Sequence, residues 1–483
     1  MNPPVSWSER RPPRGILVCL AIWVVAAAPS STAKQSTRPP TLTDAVTQLL
    51  CSSALKGADV GVHIVRLDDG KTLLARDADR LLVPASNTKL FTTAAALVDL
   101  GADFHFETLI GTDGDDLVVV GGGDPAIGGR FTDGDPTIYF RRWARLLKQE
   151  GVNYIAGDLV LDDSRFDRQW LHPHWSKTDR GRWYAAPIAA LSLNDNCIDV
   201  RIAPGAKLDG PASVTLTPDV PFLKVTNLTR TVSNSKQHAP RVLHRAGGAI
   251  ECGGAVYHHA AATKTSVPVD DPARFFAAVL RDVFADEGVR IAGQTRQSRH
   301  ARDSKTFRTR VSHRFPILPA IAVANKESQN LFAEHLLKTI GAEHSEGTWD
   351  AGRRAAVHTL TRLGVAADSF VLDDGSGLAR QNRATARSFT TLLAAMHRGP
   401  HATLFRQSLA TSGVDGTLKK RLADPPYRGR IFAKTGSITG VRSISGFVHT
   451  RSGEWLAFSL LINRTRQSVR SLQDEFCRIL ADR

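Results

Sequence analysis

The sequence predicts an α+β fold in which helices cover a five-stranded antiparallel sheet and a large, mostly β segment is inserted. Strand patterns joined by tight turns occur near both ends of the chain, and helical patterns accompany them. The middle of the chain instead has short β-like runs and many glycine and proline residues. With 483 residues, of which 42% are hydrophobic, the chain has material for two or three domains.

The N-terminus, residues 1–33, has the pattern of an export signal. Three arginines precede an apolar run at 16–28, and small residues at 31–33 or 26–28 offer cleavage sites. The alternative is a membrane anchor, for which 13 apolar residues are short. No later stretch of the sequence is long and apolar enough to span a bilayer. We therefore expect an exported protein, located in the periplasm or cell envelope.

The formal net charge is +15. The basic residues are scattered, and no aromatic-interleaved patch or DNA-binding motif occurs, so nucleic acid is not the expected partner. An anionic cell-wall polymer or a membrane surface is the expected neighbour of an exported basic protein, and a solvated basic surface is the simpler alternative. The pattern does not decide the oligomeric state, and a homo-oligomer stays open.

Without Cys19, which lies in the apolar run of the signal, four cysteines are left. An even number in an oxidising compartment permits two disulfides. We favour Cys51–Cys477 and Cys197–Cys252, because each pair then stays inside one proposed domain. The alternative is free buried thiols. No pair has the close spacing that a zinc site prefers.

Near the start of the exported chain, the pattern predicts a helix over 42–55 and then two strands. The strand patterns at 60–67 and 71–75 flank an Asp-Asp-Gly hairpin signal. A further helix is expected between Pro84, which suits a helix start, and Gly101, which suits a helix end.

Residues 104–297 form the predicted insertion, as one mostly β domain or two. Strand patterns occur at 117–120, 158–161, 198–202 and 213–229, and helical patterns at 138–150 and 272–287. Two histidine pairs, His172-Pro-His174 and His258-His259, lie in this segment. Neither has the helical spacing and nearby acid typical of a metal site, so we expect surface histidines and no metal or cofactor.

From about residue 317 the helical patterns return, and the last part of the chain supplies the remaining strands. Helices are predicted at 331–340, 350–363, 388–397 and 467–481, and strands at 431–437, 442–450 and 455–463. The sheet would then combine strands from residues 34–103 and 298–483, which form one domain split by the insertion.

The helix after Pro84 carries the first chemical pattern. A hydroxyl at Ser86 and an amine at Lys89 lie three positions apart, which places both on one face of a helix. The run at 90–97 is apolar and alanine-rich, so the helix should be buried, and burial lowers the pKa of a lysine amine. A neutral amine beside a serine hydroxyl is an activated nucleophile. The N–H groups and dipole at the helix start also point toward the serine.

Two more polar clusters follow. Ser328 and Asn330 are two positions apart, so on an extended or turn segment a hydroxyl and a carboxamide would face one cleft. The alternative for Ser328 is a capping serine before the next helix. The third cluster, Lys434-Thr435-Gly436, stands at the end of a predicted strand.

In this order, and in helix, loop and strand contexts, the three clusters resemble the signature set of penicillin-recognising serine enzymes, which includes penicillin-binding proteins and serine β-lactamases. Other features are similar to those of the class C, DacB/PBP4-like D-alanyl-D-alanine carboxypeptidases of peptidase family S13. These features are the long insertion, the Gly-Gly-Gly-Asp-Pro turn at 121–125, the stretch at 374–378 with Arg380 and Asn382, and the glycine turn at 413–418. The resemblance covers nearly all of the chain after the signal.

The resemblance implies a serine β-lactamase/DD-peptidase-like transpeptidase fold, split over 34–103 and 298–483. It implies a serine-type D-Ala-D-Ala carboxypeptidase that also acts as a DD-endopeptidase on peptidoglycan stem peptides and is acylated by penicillin. In such an enzyme Ser86 forms the acyl-enzyme and Lys89 takes its proton. Ser328 passes a proton to the leaving D-alanine, and Asn330 positions the acyl side chain.

Substrate-binding residues are implied in the same way. Lys434 and Thr435 would meet the terminal carboxylate, and Gly436 would leave room for the substrate along the strand. The backbone N–H groups of Ser86 and Ser437 would form the oxyanion hole.

A side pocket in this family reads the free end of the diamino acid in the peptide. Arg380 would meet its carboxylate and Asp163 its ammonium group, and the alternative for Asp163 is a turn carboxylate. Two other functions stay open: a β-lactamase, for which the class A Glu-x-x-Leu-Asn segment is missing, and a non-catalytic protein that senses penicillin or binds the wall.

Overall fold

The structure, a computed structural model, describes residues 41–219 and 223–483, so the predicted export signal lies outside the described residues. The helices are α1 (Leu42–Leu50), α2 (Thr88–Asp99), α3 (Ile138–Gln149), α4 (Pro272–Asp286), α5 (Ile317–Ala322), α6 (Asn330–His344), α7 (Trp349–Arg362), α8 (Ala386–Arg398), α9 (Ala402–Ser408) and α10 (Arg470–Ala481). Within the two described ranges, none of these helices has the length and apolar composition that crossing a membrane requires.

Strands occur at the predicted segments, but the segment predicted at 213–229 contains two strands, and several other strands, among them those at 105–113, 250–257 and 308–316, were not predicted. The strands are β1 (Asp59–Arg66), β2 (Thr72–Arg76), β3 (His105–Asp113), β4 (Asp116–Val120), β5 (Tyr154–Ile155), β6 (Leu159–Asp162), β7 (Cys197–Ala203), β8 (Ser213–Thr217), β9 (Val225–Val232), β10 (Arg241–His244), β11 (Ile250–Tyr257), β12 (Thr263–Pro268), β13 (Arg290–Ile291), β14 (Thr295–Gln297), β15 (Arg308–Pro316), β16 (Phe370–Val371), β17 (Arg383–Ala384), β18 (Ala410–Thr411), β19 (Ile431–Ile438), β20 (Val441–His449) and β21 (Trp455–Asn463).

The central sheet is antiparallel and has the strand order β18-β19-β20-β21-β1-β2. As predicted, it joins the first and last parts of the chain, since Val60 of β1 lies opposite Ile462 of β21. The predicted count of five strands is wrong by one. The extra edge strand, β18, is two residues long, which is too short to give a periodic pattern.

Helices cover both faces of this sheet, which explains why β21 is buried almost throughout rather than on alternate residues. On one face α1 and α10 close a core that includes Phe458 and Phe476. On the other face α2, α6, α7 and α8 pack together, and the ring of Phe91 stacks on that of Phe389 at 4.5 Å. Residues 88–97 of α2 are all buried, as its alanine-rich composition predicts.

A second sheet, in the order β14-β6-β4-β3-β15, carries the β-rich middle of the chain and is covered by α3 and α4. Two three-stranded sheets, β10-β11-β9 and β12-β7-β8, complete this segment. Strand β15 returns along β3 and leads directly into α5. Residues 41–483 form one compact unit, and the division at 103/104 and 297/298 stays a prediction.

The predicted disulfides are wrong, because the four cysteines of the described residues are free thiols. Cys51 is exposed after α1, whereas Cys477 is fully buried within α10. Cys197 and Cys252 belong to separate hydrophobic clusters. Burial raises the pKa of Cys477 to about 12, so this thiol behaves as an inert apolar side chain.

Candidate active site

The serine of the first cluster lies in a 3₁₀ turn, Ala85–Asn87, immediately before α2. Ala85 has φ 49°, an uncommon conformation for a residue with a side chain. Gly377, with φ +82°, packs against the carbonyl of Ala85 so closely that a Cβ atom at Gly377 would overlap it. The hydroxyl of Thr88 donates to the same carbonyl at 2.9 Å. The backbone around Ser86 is therefore held on two sides.

Lys89 follows one turn later, and its side chain is fully buried. Its Nζ lies 3.3 Å from Ser86 Oγ and donates to Asn330 Oδ1 at 2.6 Å and to the carbonyl of Ser376 at 2.7 Å. Burial lowers the pKa of Lys89 to about 7, an effect that the nearby carboxylates Asp374 and Glu334 partly oppose. The predicted burial and pKa shift of this amine are confirmed.

Two buried carboxylates behind Lys89 were missed by the sequence analysis. Glu334 accepts from the backbone N–H groups of Gly375 (2.9 Å) and Ser376 (2.8 Å). Asp374 accepts from the N–H groups of Gly377 and Ala379, each at 2.7 Å. Burial, followed by the charge of Asp374, raises the pKa of Glu334 to about 7. Glu334 is a charged residue inside the apolar pattern at 331–340, and this feature could have pointed to it from the sequence.

Ser328 and Lys434 meet on the other side of the cleft. A π-helical turn, Val323–Glu327, ends at Ser328, which has φ 62°. Lys434 Nζ donates to Ser328 Oγ and to the carbonyl of Thr435, each at 2.8 Å. Burial, and then the positive charge of Lys89, holds the pKa of Lys434 well below its usual value. Ser328 does not cap α6, whose N-cap residue is Gln329.

Gly436 lets strand β19 pack against the serine turn. A Cβ atom at this position would overlap the hydroxyl of Ser443 and would lie 2.8 Å from the carbonyl of Pro84 and 3.1 Å from the backbone nitrogen of Ser86. Ser443 Oγ also donates to the carbonyl of Pro84 at 2.6 Å. The absence of a side chain at Gly436 therefore has a packing reason in addition to the predicted one.

A cavity of about 390 Å³ opens in front of these groups. It is lined by five of the predicted residues: Ser86, Ser328, Asn330, Arg380 and Ser437. Lys89, Lys434 and Gly436 do not line it but contact these residues or adjoin them in sequence. Thr435 does not line it either, and its hydroxyl donates to that of Thr417 at 3.0 Å.

Asp163 is not brought to this cavity. Its carboxylate is 4% exposed and is paired with Arg168 at 3.1 Å. Two carboxylates line the cavity instead: Asp179, which accepts from the hydroxyl of Tyr184 at 2.9 Å, and Glu327, which is paired with Arg130. The sequence analysis missed Asp179 because it lies in an irregular segment with no periodic pattern. The guanidinium of Arg380 donates to the carbonyl of Thr439 at 2.7 Å at the rim.

Fold and site together have the features of a serine enzyme, since the hydroxyl of Ser86 lies beside the buried amine of Lys89. The model of the D-Ala-D-Ala carboxypeptidase 3 (S13) family matches residues 42–482. A D-alanyl-D-alanine carboxypeptidase from Actinomadura sp. (strain R39) is 32% identical over 468 residues, which cover 92% of this chain and 85% of that protein. The D-alanyl-D-alanine carboxypeptidase DacB of Haemophilus influenzae is 25% identical over 422 residues, 84% of this chain and 86% of that protein.

The crystal structure of penicillin binding protein 4 (dacB) from Haemophilus influenzae has the same fold, with a TM-score of 0.77 at 22% identity over 90% of this chain and 97% of that one. A second crystal structure of that protein holds a β-lactam. The chain belongs to the S13 family of D-Ala-D-Ala carboxypeptidases. The predicted family, the fold class and the serine-type carboxypeptidase activity are confirmed.

The close approach of Gly377 to Ala85 generates a prediction. Gly377→Ala should destabilise the protein by more than the cost of a left-handed alanine, about 1–2 kcal/mol, because the new Cβ displaces the serine turn. D-alanine release should fall by about 10–100-fold, as expected when a nucleophile is misplaced. The matched control is Gly364→Ala, since Gly364 has φ +88° but no atom within 4 Å of the position that a Cβ would take. Equal losses of activity in the two variants, measured beside thermal unfolding, would contradict this account.

Proposed function

We propose that this carboxypeptidase cleaves the D-Ala-D-Ala bond of peptidoglycan stem peptides through an ester on Ser86 and that penicillin acylates the same hydroxyl. One observation carries the proposal: the buried amine of Lys89 lies 3.3 Å from Ser86 Oγ, at the wall of a cavity wide enough for a peptide end. The β-lactam complex of the Haemophilus protein supports the second part.

In the acylation step, Ser86 Oγ attacks the carbonyl carbon of the D-Ala-D-Ala bond and its proton passes to Lys89 Nζ. The C–N bond of the tetrahedral adduct then breaks. The leaving D-alanine nitrogen takes the hydroxyl proton of Ser328, and the proton held by Lys89 replaces it, so that Lys89 is neutral again. Ser328 suits this relay because its oxygen accepts a hydrogen bond from Lys434 and its own proton can therefore point into the cavity. Asn330, held by Lys89 and by the carbonyl of Tyr184, would position the acyl side chain.

Binding of the substrate's terminal carboxylate is the role we propose for the β19 side of the cleft. Lys434 supplies charge and Thr435 a hydroxyl, while the N–H groups of Ser86 and Ser437 form the oxyanion hole. One such donor is typically worth about 3 kcal/mol of transition-state stabilisation. The proximity of Gly436 to the backbone nitrogen of Ser86 brings the two proposed donors to the same side of the cavity. Water then attacks the ester, which regenerates Ser86 and releases the shortened peptide.

The diamino acid of the stem peptide has a free ammonium and a carboxylate at its end. We propose that Arg380 meets the carboxylate and Asp179, rather than Asp163, meets the ammonium group. Both Arg380 and Asp179 line the cavity, whereas Asp163 is buried against Arg168. A cross-linked peptide has an amide in place of this free amine, so the same subsite would influence how much DD-endopeptidase activity accompanies the carboxypeptidase activity.

We also propose that the protein is exported to the periplasm or cell envelope and there meets the cell wall or membrane surface. The N-terminal charge and apolar pattern and the net charge of +15 support this location. The division into a split peptidase domain and an insertion at 104–297 belongs to the same proposal.

The direct test is labelling with a fluorescent penicillin. The wild-type protein should form a long-lived adduct and release D-alanine from a pentapeptide, and Ser86→Ala should lose both activities. The control is Ser468→Ala, an exposed serine outside the site. Rapid turnover of the penicillin would indicate a β-lactamase instead, and no labelling of the wild type would indicate a non-catalytic protein.

The pKa of Lys89 predicts the pH dependence of acylation. Only the neutral amine accepts the serine proton, so the acylation rate should rise with pH, reach half of its plateau near pH 7, and stay high above that. Glu334 also has a pKa near 7. Glu334→Gln removes a negative charge that raises the pKa of Lys89, so it should shift the midpoint downward without abolishing the rise. A rate that is flat or falls between about pH 5 and 9, in protein that remains folded, would rule out Lys89 as the base.

The ammonium subsite is tested by a pair of aspartate variants. Asp179→Asn should raise KM for a pentapeptide with a free side-chain amine by about tenfold, in line with the loss of one charged hydrogen bond. The rate of penicillin labelling should not change. Asp163→Asn is the control and should leave KM unaltered. The same KM in Asp179→Asn and wild type, or a larger effect in Asp163→Asn, would refute the assignment.

A further inference from the structure

We propose that His172, His174 and Asp373 form a binding site for a divalent transition-metal ion of the zinc class. One potential ligand atom from each of these three side chains lies within 4.8 Å of the other two. The sequence analysis expected a surface pair with no acid nearby. The structure corrects this, because His172 is buried and the turn after β16 brings in the carboxylate of Asp373. None of the three side chains has a part in the acyl transfer proposed above.

The distances suit a metal site. Asp373 Oδ2 lies 2.9 Å from His174 Nδ1 and 3.9 Å from His172 Nδ1. Ligand atoms of tetrahedral zinc, each about 2.0–2.1 Å from the ion, are about 3.3 Å apart. The two observed distances lie on either side of that value, so shifts of roughly 1 Å would bring the side chains onto one ion. Imidazole nitrogen and carboxylate oxygen are both ligands that zinc accepts.

The protonation state of His172 also suits a ligand. Its Nδ1 accepts a long hydrogen bond, 3.3 Å, from the backbone N–H of His174, so this nitrogen has a lone pair and no proton. The side chain of His174 is 48% exposed, which gives an ion a path from solvent and leaves a coordination position for water.

The charges around the cluster favour a cation. Asp373 and Asp374 place two carboxylates side by side in the chain. Arg353 is the opposing charge: its Nη1 lies 3.3 Å from Asp373 Oδ1, and its other nitrogen is paired with Asp350. Both oxygens of Asp373 also face His174, whose Nδ1 lies 3.0 Å from Oδ1 and 2.9 Å from Oδ2, and the guanidinium is shared with a second acid.

A bound ion would connect two walls of the active site. The histidines precede the segment that carries Tyr184, whose carbonyl accepts from Asn330 at 2.7 Å. Asp373 begins the turn that carries Ser376, whose carbonyl accepts from Lys89 at 2.7 Å. An ion held by His172, His174 and Asp373 would therefore stabilise the geometry around Lys89 without contacting the substrate. We assign it a structural role.

The test is the binding of added zinc by the full-length protein, after a chelator and dialysis have removed any metal. The wild type should bind one zinc ion per chain, measured by titration calorimetry and by mass spectrometry of the metal content. His174→Ala should lower the affinity by more than about 100-fold, because loss of a mere supporting partner of a ligand already costs about 10–100-fold. The double variant His258→Ala/His259→Ala, which removes the other histidine pair, should bind zinc as the wild type does.

Two further measurements separate metal binding from misfolding. Zinc should raise the unfolding temperature of the wild type and of the His258/His259 variant but not that of His174→Ala, and magnesium should raise none of them. The zinc-free wild type and His174→Ala should share one unfolding temperature and one rate of penicillin labelling. Asp373→Asn should repeat the loss of zinc binding. The proposal would be overturned if the wild type bound no added zinc, or if His174→Ala bound zinc as tightly as the wild type.

Discussion

Two lysine amines are buried in one cleft, and their hydrogen-bond partners in the described chain are neutral oxygens. Lys89 donates to a carboxamide and a carbonyl, and Lys434 to a hydroxyl and a carbonyl. A carboxylate in direct contact with Lys89 would hold the proton on the amine and prevent it from acting as a base. The carboxylates of Glu334 and Asp374 are instead bound to backbone N–H groups of residues 375–379. Their charges act on Lys89 without a direct hydrogen bond and only partly oppose the effect of burial on its pKa.

The backbone near the two buried amines is unusual at two positions. Ala85 and Ser328 both have positive φ, a conformation that costs about 1–3 kcal/mol for a residue with a side chain. Ala85 directly precedes Ser86, and Ser328 itself has a proposed chemical role. Gly377 is held against Ala85, and a π-helical turn delivers Ser328 to Lys434. The strained positions are thus stabilised by the turn and the helices around them, which belong to the buried core.

Much of this arrangement could be predicted from the sequence because it depends on local patterns. Strand alternation, the alanine-rich run of α2 and three short polar clusters are each visible within a few residues. The failures have a different cause. Cys197 and Cys252 were paired by domain membership, but contact depends on which cluster each side chain enters. Asp163 was assigned to the ammonium group from the family resemblance, and Asp179 was not considered, but the structure places Asp179 and not Asp163 at the cavity. Long-range packing decides such cases, and a single sequence does not contain it.

The two amines also explain why an anionic substrate suits this cleft, given the proposed roles. Burial, and then the charge of Lys89, lowers the pKa of Lys434, so the free site resists carrying two positive charges in a medium of low dielectric constant. A carboxylate placed beside Lys434 supplies the missing negative charge and favours the protonated form of that amine. Protonation of Lys89 to the charged form remains unfavourable, because Lys89 is still buried away from water and its hydrogen-bond partners are still neutral. Binding of the anion therefore separates the roles of two chemically identical groups: Lys434 becomes the cation that holds the substrate, and Lys89 stays available as the base.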